Sequence, residues 1–204
     1  MYIPEHYKNE NEAEIKDFLR KNSFGILVNQ TDGKLWATHI PLELEEDANG
    51  KSILSGHLSK ENLQWQSFAS DYRILAIFSG PHSYISSGWY EKENVPTWNY
   101  IAVHVYGTIK IIEGEAVIAS LKRLVDKYES NSESPVRVEE LSDKTMRQVN
   151  GVVAFEIEID SIEAVKKMSQ NRNDKDYHNI ISKLEATENQ EAKNVAEVMK
   201  KCPR

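Results

Sequence analysis

The sequence predicts an α+β protein: a small antiparallel β barrel with peripheral helices, ending in a helical tail. Three observations carry this. Short apolar runs follow one another closely through the first eighty residues, separated by the tight-turn pairs Asp32–Gly33 and Asn49–Gly50. The segment Glu115–Tyr128 places Val117, Leu121, Leu124, Val125 and Tyr128 at helical spacing. The regular strand–helix alternation of a doubly wound parallel sheet is missing from the first eighty residues.

Each element has a local reason. Asn9 or Asn11 caps a helix through Lys21, with Ile15, Phe18 and Leu19 on one face. Phe24–Val28 is a buried strand, Leu35–Leu42 its return, and Ser52–Leu58 a third. Ser59 is expected to cap a short helix carrying Leu63, Trp65 and Phe68. Arg73–Phe78 is a fourth strand, and Gly80–Asn99 a long aromatic loop of the kind that usually carries function. Tyr100–Ile112 is a long strand. After the Glu115–Tyr128 helix come a polar loop and a short helix at Ser142–Val149, stopped by Asn150–Gly151. Val153–Ile159 alternates as a half-exposed strand, which Ile162–Met168 extends. The polar stretch Asp174–Arg204 reads as a loosely packed helical tail with sparse apolar contacts. The expected division is a domain over residues 1–172 and a helical extension over 173–204 packed on it.

Composition bounds the function. The chain has 204 residues, a net charge of −7 and one cysteine, Cys202. An acidic chain is not built for bulk attraction to phosphate backbones. One cysteine leaves no disulfide framework and no cysteine-based metal site within the chain. No apolar run approaches the ~20 residues of a spanning helix. The opening MYIPEHYKNENE has neither the basic nor the apolar region of a signal peptide. The expectation is a cytoplasmic protein that does not enter membranes.

Phosphate-loop, dinucleotide, nucleophile-elbow, HExxH and CxxC signatures are all absent. Any site is therefore assembled from scattered positions. His39, His57, His82 and His104 lie near strand ends or the aromatic loop; they read as metal or ligand groups or as separate structural histidines, and no two share a chelating spacing. LSGHLSKEN at Leu54–Asn62 gathers Ser55, Ser59, Lys60 and a helix start, which suits a phosphate monoester or, equally, ordinary capping. KKMSQNR at Lys166–Arg172 offers cations and amides for an anion or a ring edge, or makes a solvated turn.

Six motifs carry a family resemblance: MYIPEHY at the start, THIPL at Thr38–Leu42, GHLSKENLQW at Gly56–Trp65, FSGPHSYISSGWY at Phe78–Tyr90, VPTWNYIAVHVYG at Val95–Gly107 and KMSQNR at Lys167–Arg172. The chain resembles the PaiB family of FMN-binding negative transcriptional regulators. Two departures are visible: Ser86–Ser87 and Leu63 stand where the family tends to carry proline.

The resemblance implies an FMN-binding split barrel, a homodimer related in fold to pyridoxamine-phosphate oxidase. It implies FMN as cofactor, with the phosphate held by Ser55, Ser59 and Lys60 and the neighbouring Gly56, His57, Leu58 and Asn62 in the same motif. Thr38, His39, Ile40 and Pro41 would run along the isoalloxazine edge. Trp98, Asn99, Gln170, Asn171 and Arg172 would complete the pocket, some from the partner subunit. These placements are by analogy. Two functions of different class stay open: a repressor acting on DNA directly or through another protein, and a small flavin oxidoreductase or flavin reductase. No helix-turn-helix supports the first, and no acid–base or nucleophile constellation supports the second, although a flavin can carry hydride chemistry itself.

Overall fold

The computed structural model describes residues 1–31, 33–68 and 72–202. In chain order the elements are α1 (Glu12–Lys21), β1 (Phe24–Thr31), β2 (Lys34–Pro41), β3 (Glu43–Glu46), β4 (Ser52–Ser59), β5 (Tyr72–Ile85), β6 (Thr97–Ile112), α2 (Glu115–Glu129), α3 (Asp143–Met146), β7 (Val152–Lys167), α4 (Asp174–Glu185) and α5 (Gln190–Lys201). The strands form one open sheet in the order β2-β1-β5-β6-β7-β4-β3. The pairs β1–β2, β1–β5, β3–β4 and β4–β7 are antiparallel.

The chain divides into two compact units. One is built from residues 19–77 and 105–162. Its β1–β2 hairpin runs in register from Phe24↔Pro41 to Thr31↔Lys34, with Gly33 at φ +78°. That left-handed value is why a glycine stands there; Asp32, its turn partner, lies outside the described residues. Asn49–Gly50 turns as expected, with Gly50 at φ +77° and its N–H donating to the Asp47 carbonyl at 2.9 Å. Leu27, Leu42, Leu54, Ile109, Phe155 and Ile157 are fully buried in this unit. Gly56 has no room for a side chain: a Cβ would lie 2.9 Å from both Leu42 and Phe155. Helix α2 is fastened to β3, where Arg123 grips Glu45 with two hydrogen bonds at 3.0 and 2.8 Å.

The other unit comprises residues 1–18, 78–104 and 163–204. Its core cluster joins Ile85, Tyr90 and Met168 to Tyr177, Ile180, Leu184, Val195 and Met199 of α4 and α5. The tail is therefore not loosely packed. Tyr177, Ile180 and Leu184 fall on one face of α4, and Val195 and Met199 on one face of α5. The Tyr177 hydroxyl donates to the Met199 carbonyl at 2.6 Å, tying the helices together. Asn173 and Asn189 cap the two helices with their side chains.

Two further expectations are corrected. The long loop Gly80–Asn99 is much shorter, because β5 continues to Ile85 and β6 begins at Thr97. The segment after β4 is a 3-10 turn, Leu63–Ser67, capped by Asn62 and not by Ser59. The Asn62 carboxamide accepts from the Gln64 N–H at 3.1 Å, and the short Ser59 side chain accepts from Glu61 N–H at 3.2 Å.

Candidate functional site

The first candidate site lies in the unit that contains β4. Along this strand Leu54, Gly56 and Leu58 face the core, so Ser55, His57 and Ser59 share the opposite face. In register, Ser55 sits between Glu43 of β3 and Glu156 of β7, His57 opposes Ala154, and Ser59 opposes Val152. Helix α2 covers the first part of that face: Lys127 and Tyr128 both bind Glu43. Ser55 is consequently 3% exposed, with two carboxylates as cross-strand neighbours. His57 is half-buried, and burial pushes its imidazole below the usual pKa. Ser59 and Lys60, at the end of the strand, are exposed.

Lys60 is fixed at its backbone. Its N–H donates to the Gly151 carbonyl at 2.8 Å, and its carbonyl accepts from the Trp65 indole at 3.0 Å. Its side chain lines a cleft of about 530 Å³, together with Trp65, Ile112, Val117 and Val153. Gly114 also lines this cleft and begins α2 with no side-chain cap, so backbone N–H groups of the first turn face the opening end of the helix. Among the described residues no carboxylate pairs with the Lys60 ammonium. The acidic Glu113 also lines the cleft. The ammonium and the helix start, with the Ser59 hydroxyl next to Lys60 in the chain, are donors of the kind a phosphate monoester takes, and the apolar walls suit an aromatic body.

Thr38 and Asn62 have a different local role. The Thr38 hydroxyl donates to Gln64 Oε1 at 2.5 Å and accepts from Asn62 Nδ2 at 2.9 Å. Gln64, which is fully buried, donates in turn to the Leu27 carbonyl at 3.1 Å and to Asn29 Oδ1 at 3.0 Å. Asn29 donates to Ser67 at 2.6 Å. This network was not anticipated from sequence; its only signal is a glutamine placed between Leu63 and Trp65. Of the other THIPL residues, Ile40 is buried, Pro41 is half-buried, and His39 is exposed with its ring 6.4 Å from that of Phe24.

The second cluster lies in the other unit. Trp98 is 52% exposed, with ring centroids 6.0 Å from His82 and 6.2 Å from Tyr84. Asn99 is fully buried; it accepts from the Ser169 hydroxyl at 2.9 Å and donates to the Met199 sulfur at 3.5 Å. Gln170 closes its own turn, accepting from Met168 N–H at 2.7 Å and donating to the Lys166 carbonyl at 2.7 Å. Ser169 holds φ +58° within that turn. Asn171 accepts from the Tyr7 hydroxyl at 3.2 Å, and the Arg172 guanidinium lies 4.8 Å from the centre of the Tyr90 ring. Lys167 donates to Thr97 at 2.5 Å; burial, then the nearby Arg172 charge, lowers its pKa. Among the described residues no group of three His, Cys, Asp or Glu side chains could hold a metal ion, and no helix is long and apolar enough to cross a membrane.

Residues 1–161 match a family model described as "Putative FMN-binding domain". The chain is 42% identical over 200 residues to "Protease synthase and sporulation protein PAI 2" of Bacillus subtilis (strain 168), covering 98% of this chain and 96% of that protein. Among solved structures it superposes on the FAD and heme binding protein from Mycobacterium smegmatis with a TM-score of 0.64 at 16% identity, covering 84% of this chain and 79% of the other. It superposes on the flavocytochrome Anf3 from Azotobacter vinelandii with a TM-score of 0.64 at 14% identity, covering 87% and 78%. These likenesses show the fold: α+β, an open antiparallel sheet of the split-barrel type. Fold and family define an FMN-binding split-barrel protein, with FMN as its cofactor. The chain belongs to the PaiB family.

Proposed function

We propose that this protein is an FMN-binding negative regulator of transcription that acts as a homodimer, with the FMN phosphate seated at Ser59 and Lys60. The observation that carries the phosphate assignment is the exposed Lys60 ammonium beside the cleft and the uncapped start of α2. Ser59 supplies a hydroxyl at the same corner, and Trp65 an aromatic wall. Ser55 contributes from below the surface by holding the strand rather than by touching phosphate, because a phosphate there would meet Glu43 and Glu156. His39, Ile40 and Pro41 form the strand along the ring edge. The regulatory role is supported by the name of the Bacillus relative, which refers to protease synthesis and sporulation. With a net charge of −7, contact through a protein partner is favoured over direct contact with DNA.

The homodimer rests on one face of the sheet. Phe24, Ile26 and Val28 of β1 align with Pro41, His39 and Ala37 of β2, and Ile26 and Val28 also align with Ile77 and Leu75 of β5. Side chains opposite one another share a face. Phe24 is 66% and Leu35 73% exposed on it. An apolar sheet face of this kind marks an interaction site.

Bound FMN would supply hydride or single-electron chemistry, which keeps the flavin oxidoreductase reading as the alternative. The fold it shares with a flavocytochrome supports that reading. Two measurements test the proposal. Lys60→Ala is expected to weaken FMN by about 1.5–3 kcal/mol and riboflavin, which lacks the phosphate, hardly at all. Equal losses for both would remove Lys60 from the phosphate. Bleaching of the bound flavin by NADH or NADPH at a catalytically competent rate would favour the oxidoreductase.

A further inference from the structure

We infer that Gln64 is a positioning residue for the phosphate corner, acting through Asn62 and Trp65. The inference rests on the phosphate assignment to Ser59 and Lys60. Gln64 is completely buried, yet its side chain ends in a polar carboxamide. Such a group is retained only where its hydrogen bonds are made. Both donors of the carboxamide are used, on the Leu27 carbonyl at 3.1 Å and Asn29 Oδ1 at 3.0 Å, and its oxygen takes the Thr38 hydroxyl at 2.5 Å. These three partners lie on β1 and β2. One side chain thus anchors the Leu63–Ser67 turn to the hairpin.

Two short paths lead from that anchor to the exposed corner. The Gln64 N–H donates to the Asn62 side chain at 3.1 Å, and the Asn62 N–H donates to the Ser59 carbonyl at 3.0 Å. Asn62 is held a second time by its bond to Thr38 at 2.9 Å. The neighbouring Trp65 donates to the Lys60 carbonyl at 3.0 Å. Ser59 is also held by its pairing with Val152, and Lys60 by its N–H to the Gly151 carbonyl; the turn adds the second hold, from the β1–β2 hairpin, on the Ser59 and Lys60 carbonyls. A displacement of about 1 Å at a site that binds by charge and direction is costly.

The test compares FMN and riboflavin affinities of Gln64→Met and Lys60→Ala with those of the unsubstituted protein. Methionine keeps the length of the side chain and removes all three bonds. Gln64→Met is expected to weaken FMN about tenfold and riboflavin, which meets only the Trp65 wall of the corner, less than about twofold. Hydrogen exchange at the Lys60 and Asn62 amides is expected to accelerate in the same variant. Equal weakening of both ligands, or an unchanged ratio, would reduce Gln64 to a packing residue and overturn the inference. Lys60→Ala separates the two levels. If it leaves the FMN-to-riboflavin ratio untouched, the phosphate assignment fails and the positioning role falls with it. If it changes the ratio while Gln64→Met does not, only the positioning role fails. Should Gln64→Met not fold, Asn29→Ala removes one of the two acceptors of the amide and is expected to shift the ratio in the same direction by about threefold; no shift there overturns the inference equally.

Discussion

Lys127 of α2 and Glu43 of β3 form a hydrogen-bonded ion pair at 2.5 Å, in which the Glu43 side chain is 9% and the Lys127 side chain 40% exposed. Tyr128 donates to the second carboxylate oxygen at 2.8 Å, its own oxygen lies 2.6 Å from the Ser23 hydroxyl, and Lys127 also donates to the Arg20 carbonyl at 3.1 Å. Both oxygens of a nearly buried charge are thereby met, which is the condition under which a buried carboxylate is tolerated.

Lys127→Ala is expected to destabilise the protein by about 1–3 kcal/mol, because the charge on Glu43 keeps only its phenol partner. Tyr128→Phe should cost about 1 kcal/mol. Urea unfolding midpoints, compared at fixed pH, measure both. A change below about 0.5 kcal/mol for Lys127→Ala would make the pair an ordinary surface contact.

Stability is expected to fall as pH drops below about 6.5, the ordinary histidine value. Burial lowers the folded pKa of His57, so between the unfolded and folded values the unfolded chain binds the extra proton. Stability from this group is present above the unfolded pKa and is lost as pH falls through the folded one. His104 behaves in the same sense, through burial first and the N-terminal amine second, with Glu163 opposing. His57→Gln should flatten the pH dependence of the urea midpoint between roughly pH 7 and 5. An unchanged slope would locate the effect elsewhere.

Gly107→Ala is expected to be severely destabilising, by about 3 kcal/mol or more. A Cβ there would sit 2.3 Å from the Glu158 carbonyl oxygen and 2.7 Å from Ile157 Cγ2. The nearest obstacle is backbone on β7, which cannot rotate away. Thermal unfolding within a degree or two of the parent would contradict this reading.

Leu35→Lys is expected to yield a monomer without loss of fold, because it places a charge on the exposed face of β2 that the homodimer would bury. Light scattering gives the mass and circular dichroism the fold. A dimer of unchanged stability would move the interface off this face.

The sequence made some of this legible and hid the rest for physical reasons. Helix α2 and the hairpin strands announce themselves because Leu121, Leu124 and Val125, or the run Phe24–Val28, follow one period without interruption. The end of β5 does not, since Gly80–Pro81–His82–Ser83 has the chemistry of a turn, and only the pairing of the chain draws it out straight to Ile85. The tail was readable in spacing but not in density: few apolar residues in α4 and α5 suffice when Ile85, Tyr90 and Met168 complete their core. In the candidate site, Ser59 and Lys60 stand exposed at the end of β4. Thr38 and Asn62 are bound to Gln64, a link between distant segments that no local pattern encodes.

The core around α4 and α5 bears on when this protein can begin to fold. Ile85 and Tyr90 are made well before the side chains that enclose them, from Met168 to Met199. The first eighteen residues belong to the same unit. At roughly 5–20 residues per second, those early segments leave the ribosome on the order of ten seconds before their partners exist. Throughout that interval their apolar surface is open to chaperones, proteases and neighbouring chains. Synthesis of α5, rather than the folding reaction itself, then sets the earliest moment at which this unit closes.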